Sequence, residues 1–424
     1  MKKHLFLSLS LLAVLGLEAA PTITNVELIQ QARNVKVSYT LSEPAIVEAE
    51  LLSNGENLDD ALLREGFRGD VFKPVAAGER SFTWRPAAAF REQVLPKFSV
   101  RLTPRALTEA PTWLVIDLRE KGEARYYPRE SLLLGGTHSN AAYKTTHLLL
   151  KRVKAAGEPW RMCGGPADSQ RGARGTTPHL VTLSEDFYVG VYEVTQSQFL
   201  RWTSPWTFAF VGDLLPATNL SYEDLRGPSA ENDWPANGHD VSETSFLGFV
   251  RSRGGQLVDL PTDAQWEFAC RGGAPRQLPN GAYSEERLNR IAWSQLNSSN
   301  ETQVTTHPVG LKQPNGFGLY DILGNAVELC LDWCQTRLST ENAIDPTGPY
   351  SLSVTSGKAR IYKNGMDGET EDVGRVMRGG AYTWDIQYCN PTYRNWSEAV
   401  KRDVRVGVRL CAPGTARVQT PVNL

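Results

Sequence analysis

Histidine is scarce in this chain. Six occur in 424 residues, and none stands at HxH or HxxxH spacing, which excludes a multi-histidine metal centre built from a local motif. Long apolar runs are also missing. Beyond the N-terminus no stretch approaches the roughly 18 residues a membrane span requires, so the mature chain is expected to have no span. Charge of either sign is not in excess: Lys+Arg is 45, Asp+Glu is 47, and the formal net charge is −2. Such a balance leaves no electrostatic footprint for nucleic acid or an anionic bilayer. No GK[ST] or GxGxxG loop is present to cradle phosphates, and no GxSxG elbow. There is no fixed-period repeat and no low-complexity tract.

What is present is globular composition, 41% apolar and 22% charged, in a chain long enough for two or three domains. Residues 1–20, MKKHLFLSLSLLAVLGLEAA, carry two lysines, an apolar stretch from Leu5 to Leu17 and a closing Ala19-Ala20. That is a signal-peptide pattern, too short for a span, with a membrane anchor as the competing reading. The expected location is secreted or periplasmic. Glu18 occupies a place where small residues are preferred, so the cleavage point is not fixed by the sequence. An oxidising compartment makes disulfides plausible among the six cysteines.

Residues 21–120 read as a β-sandwich of immunoglobulin or fibronectin type. Alternation runs from Val35 to Leu41 and from Ile46 to Leu51, and the second run ends at the turn signal Asn54-Gly55. Shorter runs follow at Phe82–Trp84, Phe98–Leu102 and Trp113–Leu118. With no Cys or His and no cluster of catalytic types, this unit reads as an accessory domain. Residues 121–150 form a polar connector, 151–415 a second domain and 416–424 a tail. In the second domain helical periodicity is rare. Thr195 is expected to cap a short helix, and Thr262 with Gln265 makes a capping box for another. His179 and His239 read as surface loop residues. Four N-x-[ST] sites, at Asn219, Asn297, Asn300 and Asn395, say little in a bacterial host.

Several segments of this second domain form a recognisable series: FYVGVYEVT at 187–195, LPTDAQWEFACRGG at 260–273, HPVG at 307–310, NGFGLYDILGNAVE at 315–328, RGGAY at 378–382 and VGVRL at 406–410. In this order they resemble the formylglycine-generating enzyme family, also called the sulfatase-modifying factor domain. The resemblance covers roughly 145–413. It implies an α+β class overall, with a C-type-lectin-related fold of little regular structure in the second domain.

The resemblance also implies a chemistry, which the residues support only in part. Family enzymes oxidise a sulfatase cysteine to formylglycine with oxygen and a copper ion held by two thiolates, because Cu(I) prefers sulfur. The position of the first thiolate is Trp384, the second falls on Cys389 by counting, and the serine after the glycine pair is Ala381. One thiolate and a hydroxyl are thus missing, and copper is not expected. Cys389 is either a residual reactive thiol, the one catalytic candidate, or half of a structural bridge with Cys270. Cys330 with Cys411 is the second expected bridge. Cys163 and Cys334 are left paired or free, and Cys330/Cys334 do not make a zinc site. Calcium is the cofactor the resemblance favours, at Asp321, Gly324, Ala326 and Glu328, since a hard cation takes oxygen ligands. The competing reading is a turn with a buried, hydrogen-bonded glutamate. Trp384, Tyr388, Tyr393 and Trp396 make an aromatic surface suited to a carbohydrate or protein ligand, unless they are core. The expected function is a binding or structural module that has kept the fold without the oxidase; the alternative is an active oxidase, with a displaced thiol such as Cys334 completing the site. A sulfoxide-synthase reading would need a three-histidine iron site that the β unit cannot supply. The oligomeric state is open.

Overall fold

A computed structural model describes residues 20–31, 33–86, 95–164, 178–273, 284–299, 303–335, 341–363 and 368–418. Residues 1–19, most of the expected signal peptide, lie outside the described residues, as do Asn300 and most of the C-terminal tail. The chain is mostly β with few helices, rather than the α+β class expected. No helix among the described residues is long and apolar enough to cross a membrane.

The N-terminal unit consists of two antiparallel sheets. One runs in the order Ile23–Gln31, Asn34–Leu41, Gly78–Trp84, Phe67–Gly69. The other is built on Ala45–Ser53, which pairs with Glu56–Asn57, Pro74–Val75 and Ser99–Ala106. Period-two alternation sends Val37, Tyr39, Leu41 and Phe82 from the first sheet, and Val47, Ala49 and Leu51 from the second, into one shared core. The Asn54-Gly55 signal does what its residue types dictate. Both take positive φ, 53° and 83°, and a two-residue turn joins Ser53 to Glu56. Ile46 points the other way, into the core of the second unit.

The boundary between the units falls earlier than the sequence suggested. Strand Trp113–Asp117 was grouped with the sandwich, but it pairs with Ala124–Tyr127 and His147–Val153. These form a five-stranded sheet with Phe187–Gly190 and Cys411–Pro413. The polar connector therefore contains one strand of the second unit's sheet, Ala124–Tyr127, and the start of another, His147–Val153. The cause is burial: Leu114 and Ile116 sit in the same core as Leu148, Leu150 and Leu410. A second, four-stranded sheet is ordered Asn395–Ser397, Arg375–Arg378, Val327–Trp333, Val406–Gly407.

Both expected helix starts are present. Thr195 caps Gln196–Phe199 and Thr262 caps Asp263–Arg271, each with a complete capping box. Gly272 ends the second helix in the left-handed region at φ 60°. The helix Phe246–Gly254, capped by Ser245, was not anticipated, because Gly248 and the Arg-Ser-Arg-Gly end obscure its periodicity.

Candidate functional site

The helix Asp263–Arg271 places two carboxylates one turn apart, Asp263 and Glu267, on its inner face. Both are buried, so each requires a cation. Arg378, at the end of strand Arg375–Arg378, bonds Asp263 through Nε and Glu267 through Nη2 (2.8 Å). Arg394 Nε bonds the other Asp263 oxygen at 2.7 Å, and Arg271 Nε reaches Glu267 at 2.9 Å. Burial alone would raise both carboxyl pKa values, but the arginines outweigh it and hold both low. Asp332, whose Oδ2 accepts the Asp263 amide at 2.8 Å, is different. Burial and the Asp263 charge push it up to about 7.

Arg378 leads directly into Gly379-Gly380, with φ 96° and 80°. A Cβ on Gly380 would lie 2.8 Å from Cys389 Sγ and 3.1 Å from its Cα, so a glycine is required for the two segments to touch. Cys389 is thus sealed against the main chain, and burial, then Asp385, pushes its thiol up to about 12. A thiol in that state is not the thiolate that nucleophilic attack requires.

The expected bridges do not form. All six cysteines are buried, and no disulfide joins them. Cys330 belongs to the four-stranded sheet and Cys411 to the five-stranded one, while Cys270 closes the helix and Cys389 lies against Gly380. All six join one apolar cluster, in which they act as small hydrophobic residues. Thiol titration of the native protein is expected to find none reactive, and denaturation without reductant to expose all 6. A denatured count of four or two would mean that bridges had formed.

The residues expected to hold calcium are engaged differently. Glu328 accepts from Trp266 Nε1 at 2.6 Å, and Arg409 lies across both its oxygens, with Nη2 at 2.8 Å. Ala326 donates its amide to Glu193 (2.9 Å), and Gly324 donates to Gly379 (2.9 Å). Asp321 Oδ2 accepts the Gly310 amide at 2.6 Å, and its buried Oδ1 has no partner among the described residues. Burial raises Asp321 to about 6 and Glu193 well above the usual range. The guanidinium of Arg409 already supplies the positive charge beside Glu328. Among the described residues no three His, Cys, Asp or Glu side chains gather around a point, and Glu328 is already taken up by Arg409 and Trp266. The sequence reading overlooked Glu193, Asn325 and Arg409. Each stood in a motif already noted, and a search for partners of opposite charge to Glu328 would have reached Arg409.

Of the four aromatic residues expected to form a surface, the structure brings three together, and one of them, Trp384, packs on the main core. Trp384, Tyr388 and Tyr393 are half-buried and touch edge-on or tilted, with centroids 4.8–6.4 Å apart. Trp396 is separate: its strand pairs it with Val376, and it packs on the cysteine-lined cluster. Tyr382 is fully buried against Phe210. Of the two histidines read as surface loop residues, His179 is buried in a strand, while His239 keeps a partly exposed ring in a turn, its Nδ1 bonding Asp259 at 2.8 Å beside Arg226.

Comparison with known proteins agrees with the motif series. The model of the family described as sulfatase-modifying factor enzyme 1-like domain matches residues 133–413. A formylglycine-generating enzyme of Thermomonospora curvata is 35% identical over 56% of this chain and 84% of its own length. The mouse enzyme of that name is 28% identical over 47% of this chain. The match spans 62% of the mouse protein and 64% of the bovine one, less than two thirds of either. Among solved structures, Treponema denticola variable protein 1 superposes with a TM-score of 0.45 at 21% identity, covering 63% of this chain and 95% of that one.

Proposed function

This chain belongs to the family of sulfatase-modifying factor enzyme 1-like domains, and from that premise we propose that it is an exported member that has kept the domain without its copper oxidase site. One observation carries the reading: an indole, Trp384, stands at the position of the first thiolate. Indole nitrogen is a donor only, and it cannot replace a sulfur ligand for copper. The remaining candidate, Cys389, is buried with its thiol held protonated. The domain then serves as a binding or structural module, and the trio Trp384, Tyr388 and Tyr393 is the surface we assign to its ligand. Three half-buried rings give a sugar ring or an apolar side chain both a stacking face and hydroxyl partners. The lectin-related fold that the resemblance implies is in keeping with a carbohydrate. Export rests on the pattern of residues 1–20.

The test is a turnover assay. Copper-reconstituted protein is mixed with a Cys-x-Pro-x-Arg peptide under oxygen, and the peptide mass is followed. The expected result is no conversion while a formylglycine-generating enzyme converts the same peptide alongside. Conversion would overturn the reading and establish the alternative, an active oxidase. On a glycan array, any binding is expected to disappear with Trp384→Ala, and binding that persists would place the ligand elsewhere.

A further inference from the structure

A cleft of about 370 Å³ lies where the two units meet. One wall comes from the sandwich segment around Leu63–Phe72, the other from the strands and turns between Val115 and His147. Its volume is that of a small-molecule site and too small for a polymer. Tyr127 lines it half-buried, over Phe72 and Phe67, which belong to the sandwich core at 1% and 5% exposure; Phe72 and Tyr127 centroids lie 5.4 Å apart.

The rim is cationic in a particular way. Arg119 is neutralised by Asp117 (2.7 Å), and Arg125 by Glu123. Arg64, Arg68 and Lys121 have no such partner: among the described residues none of the three is in an ion pair, and Glu65 is the remaining carboxylate of the lining. Two of these cations are nevertheless held in place. Arg64 Nε donates to Ser131 carbonyl at 2.7 Å, and its guanidinium lies so close to Gly136 that a Cβ there would sit 2.2 Å from Nη2. Arg68 Nη1 donates to the carbonyls of Glu65 and Phe67 at 2.8 and 2.7 Å. Main-chain carbonyls orient a guanidinium without cancelling its charge. What results is pre-positioned, unneutralised positive charge above an aromatic lining. A second cavity, sharing Arg64 and Arg68, continues from it and adds Arg85.

We infer that this junctional cleft binds a small organic anion, a sulfate, phosphate or carboxylate group carried on a ring, with the anion on Arg64, Arg68 and Lys121 and the ring against Tyr127. Because both units contribute to the cleft, a bound ligand ties the sandwich to the domain behind it. The inference is independent of the Trp384 surface and of any oxidase activity.

Calorimetric titration of the full chain tests it. The probes are 4-nitrophenyl sulfate, 4-nitrophenyl phosphate and 4-nitrobenzoate, with neutral 4-nitrobenzyl alcohol as the control. At least one anion is expected to bind, more weakly as salt rises, and the best of the three identifies the anion type. The pair Arg68→Ala/Lys121→Ala, both exposed side chains, is expected to weaken binding about tenfold or more. Glu65→Gln, which removes the opposing charge, is expected to tighten it. Binding of no anion, equal binding of the neutral alcohol, or affinities unchanged in the double variant and in Glu65→Gln would each overturn the inference.

Discussion

Arg378→Met is expected to lower the unfolding free energy by roughly 3–5 kcal/mol, the cost of leaving buried charge without its partner. Arg378 is fully buried and bonds Asp263, Glu267 and the carbonyl of Pro391 (2.6 Å). Without it, two carboxylates one helical turn apart share the interior with only Arg394 and Arg271 to balance them. Methionine keeps most of the side-chain volume, so the loss is chiefly electrostatic rather than a cavity effect. Urea unfolding followed by linear extrapolation measures it. Arg360 is the control. It pairs with Asp372 on the surface at 3.0 Å, and Arg360→Met is expected to leave the midpoint unmoved. A midpoint unmoved by Arg378→Met as well would show that the network under the glycine pair carries little of the stability.

The second large effect is in the pH dependence. Asp332 is raised to about 7 by burial and by Asp263. The folded state therefore holds this proton more tightly than the unfolded chain does. The stability it contributes is fully present below the unfolded carboxyl range near pH 4, and it is lost as pH rises through about 7. Asp263 and Glu267 act in the opposite sense. Their pKa values are lowered, so their contribution is present above that range and lost as pH falls through their folded values. Asp332→Asn keeps an oxygen to accept the Asp263 amide and removes the titration. Relative to wild type it is expected to gain stability between about pH 4 and 7, on the order of 4 kcal/mol at most. Unfolding measured at pH 5 and pH 8 checks this. A constant difference between variant and wild type across that window would mean that Asp332 does not hold its proton in the fold.

The parts of this protein that were legible in the sequence share one property: each is settled by neighbours a few residues away. The Asn54-Gly55 turn, the alternation of Val35–Leu41, and the capping boxes of Thr195 and Thr262 are determined by backbone conformation and side-chain period. The proposed loss of a thiolate rests on the sequence alone too, since counting from Gly380 to Trp384 needs no coordinates.

The rest required the chain to close on itself. Glu328 was noted for its oxygens, yet its partner Arg409 lies 81 residues on and Trp266 lies 62 residues back. Asp263 meets Arg378 across 115 residues. No local pattern records which buried charge will face which, because that choice is made by the packing of whole sheets and enforced by the cost of burying an unpaired ion. The same holds for the thiols. Six cysteines behind a signal-like N-terminus suggest bridges, but tertiary packing gathers them in an apolar cluster with no disulfide among them. It holds most of all for the junctional cleft, whose cations come from two units that share no motif. The sequence by itself determined the local elements and the family; tertiary structure alone decided the partners of the buried charges, the state of the thiols and the surface left open between the units.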